Sequence, residues 1–285
     1  MKCVVIDKGH EPIGDVGATQ QDGEREYVFT NALGDAVKAA LDPYEVEVLF
    51  THSGGTGAST GDSDDELRAR AKVANDARAD LLLSLHHNAG PPTARGAELY
   101  IHTRLRRFNG KVTRDYPAGE GSLVWLVAVG NHDAPRSFAY ARMVQPVICD
   151  TLAALGIPWR NSPDHIMCAD FGILRYTDRP CMLLETHYGT NKTDDDIADS
   201  PEFIPCLAAG IAKALVVALN LSEKPQPKDP NAVTLLVEGV EVDCNARLEN
   251  GRTRVDVKPL VQAMGRSATW NGGNRTVSVS KAPQP

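Results

Sequence analysis

The stretch CVVIDKGH, residues 3–10, is the segment from which the predicted fold follows. Its first four residues form a short apolar run, which is typical of a strand buried on both faces of a parallel sheet. His10 comes just after this run, and open α/β sheets place their ligands at the carboxyl ends of such strands. Taken alone, however, His10 is better explained as a loop histidine without a function.

Strand-like and helix-like segments alternate from this stretch to about residue 222. Further strands are predicted at 47–50, 81–85, 98–101 and 181–184, and helices around 28–40, 65–79, 137–155 and 203–220. Such alternation predicts an α/β fold, with a mainly parallel twisted sheet covered by helices on both faces. Residues 103–135 have little periodicity and are predicted to form an insertion loop.

A change of composition divides the chain into two predicted domains, 1–222 and 231–285. Residues 223–230, EKPQPKDP, alternate prolines with charges, which indicates a semi-rigid linker. Residues 231–285 predict a small α+β domain, with short strands at 233–237, 239–242 and 276–280, turns at 249–251 and 271–274, and a helix near 257–264. Residues 1–222 have 21 Lys and Arg against 30 Asp and Glu, whereas residues 231–285 have 7 against 5.

The composition argues against several classes of protein. The 285 residues are 42% hydrophobic and 24% charged, as in an ordinary globular protein. The formal net charge of −7 argues against nucleic acid as a partner. No apolar run reaches about eighteen residues, so no membrane insertion is expected, and no signal peptide is recognised after Lys2. The six cysteines include no C-x-x-C pair, so neither a zinc ribbon nor a disulfide framework is expected.

Three more segments place polar side chains where they would meet His10 in the predicted fold. Glu26 lies in the first turn of the first helix, and Glu185 ends the 181–184 strand. His86 and His87 end the 81–85 strand. Because the carboxyl ends of parallel strands lie at one edge of a sheet, we expect these groups to converge. Two histidines and a glutamate are a common ligand set for catalytic zinc, and a further carboxylate can serve as general base.

Each of these residues also has an explanation that involves no metal. Glu26 by itself is explained by the preference for acidic residues near a helix N-terminus. Glu185 is harder to explain in this way, because an unpaired buried carboxylate is costly. His86 and His87 point to opposite faces of a strand, so we expect at most one of them to bind a metal.

The order and spacing of these segments resemble the zinc-dependent N-acetylmuramoyl-L-alanine amidases of the Amidase_3 type. That pattern contains D-P-G-H, G-x-x-E, L-x-x-R…A-N…A-D…S-x-H-x-N-A and P-x-x-L-x-E-x-x-x-x-x-N, with counterparts at 7–10, 23–26, 67–89 and 180–191. The resemblance spans essentially all of residues 1–222. It implies that His10, Glu26 and His86 bind one Zn²⁺ per catalytic domain, and that Glu185 is the catalytic carboxylate.

The chain departs from this pattern around two of the implied site residues. Lys8 stands in place of the proline, and residues 11–14, EPIG, replace a glycine pair with one extra residue. His187 and Tyr188 stand where small or apolar residues usually follow the glutamate. These departures bear on substrate contacts more than on the metal site. The candidate substrate contacts are His187 and, in the S-x-H-x-N-A segment, Asn88.

The second predicted domain resembles the small stalk-like domain named after the N-terminus of copper amine oxidase. The resemblance rests on the segments NGR at 250–252 and AMG at 263–265 and on Trp270. The name implies no copper here, since residues 231–285 have no cluster of metal-binding side chains. Cell-wall binding, self-association and a passive appendage remain alternative roles.

The resemblances together imply a peptidoglycan hydrolase that cleaves the amide bond between N-acetylmuramic acid and L-alanine. A phage endolysin, held in the host cytoplasm until a holin releases it to the cell wall, is favoured because no export signal is recognised. A bacterial autolysin of the same activity is the alternative. Another zinc peptidase acting on stem peptides, or a wall-binding protein without enzyme activity, would be consistent with parts of the same pattern.

Overall fold

The computed structural model describes residues 1–12, 15–52, 63–102, 114–117, 133–160, 165–225, 235–237, 240–250, 252–271 and 276–281. The chain divides into two compact units, Met1–Lys224 and Pro225–Pro285. Among the described residues no single helix is both long and apolar enough to cross a membrane, and only the pair Lys192–Ala198 and Phe203–Leu219, bent by 83°, reaches that length and composition together.

The first unit is built on one seven-stranded sheet. Its strands are β1 (Lys2–Lys8), β2 (Val46–Phe50), β3 (Leu81–Asn88), β4 (Glu98–His102), β5 (Arg114–Pro117), β6 (His165–Ala169) and β7 (Cys181–Tyr188). They lie in the order β2-β1-β3-β7-β4-β6-β5. β1 is parallel to β2 and β3, β3 to β7, and β4 to β6, while β4 is antiparallel to β7 and β5 to β6. The predicted α/β class with a mainly parallel sheet is confirmed.

Helices cover both faces of this sheet. They are α1 (Glu26–Leu41), α2 (Ser63–Asp76), α3 (Ala134–Leu155), α4 (Gly172–Tyr176), α5 (Lys192–Ala198) and α6 (Phe203–Leu219). Val4 and Ile6 of β1 pack in the core formed with α1, α3 and α6, whereas Cys3 and Val5 pack in the core formed with α2 and α4. Strand alternation sends successive residues to opposite faces, so a continuous apolar run serves two cores.

The structure differs from the predicted elements in some details. The apolar repeat that predicts the first helix consists of Val28, Ala32, Ala36, Val37 and Ala40. Of these Val37 is buried but Val28 is exposed, and the other buried apolar residues of α1 are Phe29, Leu33 and Leu41. β6, α4 and α5 are short elements that the sequence did not predict. β5 lies inside the predicted 103–135 loop, most of which falls outside the described residues. All six cysteines fall in described parts of the chain and are free thiols.

The described residues of the second unit form three antiparallel strand pairs and one helix. The pairs are β8 (Leu235–Val237) with β9 (Val240–Val242), β10 (Arg247–Glu249) with β11 (Arg252–Arg254), and β12 (Arg266–Asn271) with β13 (Thr276–Lys281). The helix is α7 (Val257–Ala263), close to its predicted position. Asn250 adopts a positive φ of 51° between β10 and β11, as the predicted turn requires. The predicted turn at 271–274 lies largely outside the described residues.

Candidate metal centre and cleft

Three predicted ligands come together at the carboxyl ends of β1 and β3. His10 follows β1, Glu26 is the first residue of α1, and His86 lies near the end of β3. One ligand atom from each lies within 4.8 Å of the others. Nε2 of His10 is 3.2 Å from Oε2 of Glu26, and Nδ1 of His86 is 3.0 Å from Oε1. The three side chains therefore surround a single point.

A glycine allows the two histidines to approach each other. The N–H of Gly9 donates to the carbonyl of Leu85 over 3.0 Å, which joins the end of β1 to β3. A Cβ atom on Gly9 would lie 2.4 Å from Cε1 of His86, so no larger residue fits there without displacing the ring. The backbone thus brings His10 and His86 to a ring-centroid distance of 4.9 Å.

Glu26 is held from several directions at the start of α1. Its two carboxylate oxygens accept the backbone N–H groups of Ala18, over 3.0 Å, and His87, over 3.1 Å. Gly17, at φ +72°, passes so close that its Cβ would lie 2.6 Å from Cβ of Glu26. The side chain is buried, and the helix N-terminus favours its negative charge. The carboxylate is therefore held in place by backbone contacts on several sides.

The electrostatics of this cluster favour positive charge at its centre. Burial alone would raise the pKa of Glu26, but its hydrogen bonds with His10 and His86 outweigh burial and hold that pKa far below the usual range. Burial likewise would lower the pKa of His10, yet Asp15 and Glu26 raise it to about 10. A carboxylate and two imidazoles in such a field form an N₂O donor set that suits Zn²⁺ and leaves a coordination position open.

Asp15 is a site residue that the sequence did not reveal. Its Oδ2 lies 2.9 Å from Nδ1 of His10, the ring nitrogen that faces away from Glu26. Metal-binding histidines commonly have a carboxylate beside the second ring nitrogen, which fixes the tautomer and the ring orientation. An acidic residue a few positions after a candidate histidine was the available signal.

Glu185 lies on β7, the strand next to β3 in the sheet. It is paired with His86 in the β3–β7 register and with Glu98 in the β4–β7 register. Burial raises the pKa of Glu185 to about 7, and the carboxylates of Glu26 and Glu98 add to the effect while His86 opposes it. Its Oε2 has no hydrogen-bond partner among the described residues. A carboxyl group of this kind can both accept and return a proton near neutral pH.

A cleft of about 260 Å³ opens beside these residues. Its wall contains both polar and apolar side chains. The polar side chains are Asp7, His10, Asp15, Glu66, Arg70, His86 and Glu185, and the apolar ones are Leu67, Phe171, Ile173 and Leu183. Of the four predicted site residues, His10, His86 and Glu185 line this cleft, and the buried Glu26 contacts the two histidines.

His187, predicted as a substrate contact, does not lie in this space. It is completely buried, in ring contact with Phe29 and Phe203, and is not among the residues that line the cleft. The cause is a register shift, in which His86 pairs with Glu185 but Asn88 with Tyr188. The extra residue in β7 is a β-bulge, which re-aims side chains that strict alternation would place with Glu185. The buried position of the His187 side chain corrects the prediction that this residue contacts the substrate.

Asn88, the other predicted substrate contact, is occupied by hydrogen bonds inside the chain. Its Nδ2 donates to Oε2 of Glu98 over 2.7 Å and to the hydroxyl of Tyr188 over 3.0 Å. Its Oδ1 accepts the backbone N–H of Ala89. A substrate role for Asn88 stays a prediction.

Comparisons with known proteins agree with this geometry. A family model described as N-acetylmuramoyl-L-alanine amidase, Amidase_3, matches residues 4–216. The endolysin of Bacillus phage SPP1 is 29% identical over 226 residues, which cover 78% of this chain and 68% of that relative. The matched family region lies within the first unit.

Solved structures show the same fold. The catalytic domain of the amidase CwlV from Bacillus (Paenibacillus) polymyxa var. colistinus is 24% identical, with a TM-score of 0.59, over 78% of this chain and 100% of that one. The amidase AmiC2 of Nostoc punctiforme is 23% identical, with a TM-score of 0.58, over 77% of this chain and 97% of that one.

Proposed function

We propose that this protein catalyses a zinc-dependent reaction. The premise is that the chain belongs to Amidase_3, the N-acetylmuramoyl-L-alanine amidase family. It is accordingly a peptidoglycan amidase, an enzyme that acts on the bond between N-acetylmuramic acid and L-alanine. The proposal adds that His10, Glu26 and His86 hold one Zn²⁺ and that Glu185 is the catalytic carboxylate. The observation that carries it is that ligand atoms of His10, Glu26 and His86 lie within 4.8 Å of one another, beside a cleft that His10, His86 and Glu185 line.

The ligand set fits zinc because its atoms are fixed in advance. When bound, zinc would polarise the scissile carbonyl and lower the pKa of the attacking water. Glu26 supplies the negative charge that balances the metal, and its backbone hydrogen bonds keep both carboxylate oxygens directed at the histidines. Asp15 would hold the imidazole of His10 with Nε2 toward the centre.

Glu185 performs the proton transfer in this proposal. Glu185 on β7 is paired with His86 on the neighbouring β3, and burial raises the pKa of Glu185 to about 7. The carboxylate accepts a proton from the attacking water and passes one to the nitrogen of L-alanine as the amide bond breaks. The scissile bond is thereby exchanged for a carboxylic acid on the lactyl group and a free amine on the stem peptide.

Product analysis tests the activity and metal analysis tests the cofactor. Purified wall sacculi digested by the protein should release stem peptides with L-alanine at a new amino end. Cleavage inside the stem peptide would identify a peptidase instead, and no new ends would identify a wall-binding protein. Elemental analysis should find about one zinc per chain, and a chelator should stop lysis until zinc is returned. Full activity after verified removal of metal would refute the zinc site.

We further propose that the protein is a phage endolysin, since the relative from Bacillus phage SPP1 carries that name. Such a protein would act on the cell wall after release from the host cytoplasm. Expression in a susceptible host should therefore leave cells intact until the membrane is permeabilised, and lysis should follow at once. Lysis without permeabilisation would favour an autolysin with its own route of export.

The second unit is proposed to bind the cell wall or to mediate self-association. Every residue of β10 and β11 is exposed, and Arg247 pairs directly with Arg254 while Glu249 pairs with Arg252. Residues 247, 249, 252 and 254 therefore share one face of the hairpin, with three arginines and one carboxylate. Such a face is suited to anionic polymers of the wall.

Truncation tests this role. The first unit includes a backbone hydrogen bond from Lys224 to Pro43, so the truncated chain should end at Lys224. It is expected to cleave soluble muropeptides at the full rate, because the proposed site residues all lie in the first unit, but to sediment less with intact walls or to change its mass in solution. Unchanged wall binding and mass would leave the second unit as a passive appendage.

A further inference from the structure

Arg70, on α2, is a buried cation in the wall of the cleft. Its side chain is 5% exposed. Arg70 lines the cleft but is neither a proposed metal ligand nor the proposed proton-transfer residue, so its role is not yet explained. An arginine at this place either binds an anionic or carbonyl group of the substrate or holds groups of the protein itself. The hydrogen bonds of its guanidinium distinguish the two roles.

All five N–H groups of Arg70 have acceptors within the chain. Nη1 donates to Oδ1 of Asp7 over 3.2 Å and to the carbonyl oxygen of Lys8 over 2.9 Å. Nη2 donates to Oε1 of Glu11 over 3.2 Å and to Oε1 of Glu66 over 2.7 Å, and Nε donates to the same Glu66 oxygen over 3.0 Å. Since a guanidinium has five donors and no acceptor, none is left for a substrate.

Three of these acceptors lie on residues 7–11, the end of β1 and the start of the loop that carries His10. Asp7 and Lys8 precede His10 in sequence and Glu11 follows it. Arg70 therefore donates hydrogen bonds to the chain on both sides of the proposed ligand. Asp7 and Glu11 are each 2% exposed. Removing the guanidinium would leave these carboxylates buried without their counter-charge, which is strongly unfavourable.

The backbone of His10 needs such support. Its φ is +64°, in the left-handed region, which is unfavourable for a residue other than glycine. Such a conformation persists only where the surrounding structure determines it. If the loop relaxed, Nε2 of His10 would lose its place 3.2 Å from the carboxylate of Glu26.

We propose that Arg70 is a positioning residue, which holds His10 in its ligand orientation and makes no contact with the substrate. The proposal rests on the metal site proposed above. We call the hydrogen bonds of Arg70 to residues 7, 8 and 11 the clamp. Its acceptor Glu11 belongs to residues 11–14, which replace a glycine pair of the family pattern. The longer loop is thus tied by a side chain that glycine could not provide.

The test is Arg70→Lys, which keeps the charge but loses the planar five-donor fork. We expect the zinc dissociation constant, measured by competition with a chromophoric chelator, to rise about 10–100-fold. With zinc in excess, kcat and KM for soluble muropeptides should return close to the wild-type values. Arg95→Lys is the matched control, because Arg95 pairs with the buried Asp194 over 2.9 Å and does not line the cleft. It should leave zinc affinity unchanged.

Three results would overturn the proposal. Wild-type zinc affinity in a folded Arg70→Lys would overturn the clamp, and a raised KM that excess zinc does not lower would make Arg70 a substrate contact. If Arg70→Lys does not fold, Glu11→Ala removes only one acceptor and should weaken zinc binding by a smaller factor, and a folded Glu11→Ala with wild-type affinity would also overturn the clamp. A wild-type chain without zinc affinity would be a distinguishable failure, since it would refute the metal site itself.

Discussion

The two faces of the central sheet carry histidines near the same strand ends, yet they use them differently. His86 and His87 are neighbours on β3, and the ring of His86 lies 3.0 Å from the Glu26 carboxylate while the ring of His87 packs 5.1 Å from that of His187. On the packed face, burial lowers the pKa of His187 well below its ordinary value. Adjacent, identical side chains therefore acquire different chemistry, because strand alternation directs one towards a carboxylate and the other towards a packed core.

The largest expected effect comes from the same substitution on each face. His86→Leu removes one of three ligands, so zinc binding and wall hydrolysis should both be lost. His87→Leu should keep both, because His87 contacts Glu26 only through its backbone N–H. Elemental analysis and a turbidity assay on purified walls measure the two outcomes. Loss of zinc from His87→Leu alone would reverse the assignment of the two faces.

A smaller but still large effect is expected from Glu185→Gln on the cleft face. The amide is nearly isosteric but cannot accept a proton, so turnover of soluble muropeptides should fall about 10²–10⁴-fold with zinc retained. Glu47→Gln is the control, since Glu47 is an exposed glutamate on β2 that does not line the cleft, and it should leave turnover unchanged. A near wild-type rate for Glu185→Gln would assign the proton transfer to another residue.

The smallest effect at neutral pH is expected on the packed face, from His187→Leu. Nε2 of His187 has no hydrogen-bond partner among the described residues, and Nδ1 lies 2.8 Å from the Thr186 hydroxyl. Leucine loses this one hydrogen bond but no longer buries an unpartnered nitrogen. The free energy of unfolding at pH 7.5 should therefore stay within about 1.5 kcal/mol of wild type, with unchanged turnover. A large loss of turnover would return His187 to the active site.

The same variant should change how stability depends on pH. Burial lowers the pKa of His187 in the folded chain, so below about pH 6.5 the unfolded chain binds this proton and the folded chain does not. The wild type then loses up to about 1.4 kcal/mol per pH unit through this group, and His187→Leu does not. Denaturant unfolding at pH 7.5, 6.5 and 5.5 measures the difference between the two proteins. Parallel curves would contradict a buried neutral histidine.

Much of the cleft face could be predicted from sequence because its residues occupy strand ends and a helix start. His10, Glu26, His86 and Glu185 each follow or interrupt a recognisable periodic segment. Val28 shows the limit of that approach, since the helix was predicted correctly while Val28, the first residue of its apolar repeat, is exposed. A helical pattern rich in alanine is compatible with more than one face, and the choice is made by what packs against it.

The sequence by itself determined the alternating α/β order of the first unit, the strand ends that carry the site and the residue types that suit a metal. These depend on local periodicity and on chemical identity, both of which a single chain displays. Only the tertiary structure decided that a bulge in β7 buries His187, that Asp15 stands beside His10 and that Arg70 has all its donors engaged around the same loop. These contacts depend on register and on packing between segments distant in the chain, and no local pattern encodes which of many compatible arrangements has the lowest free energy.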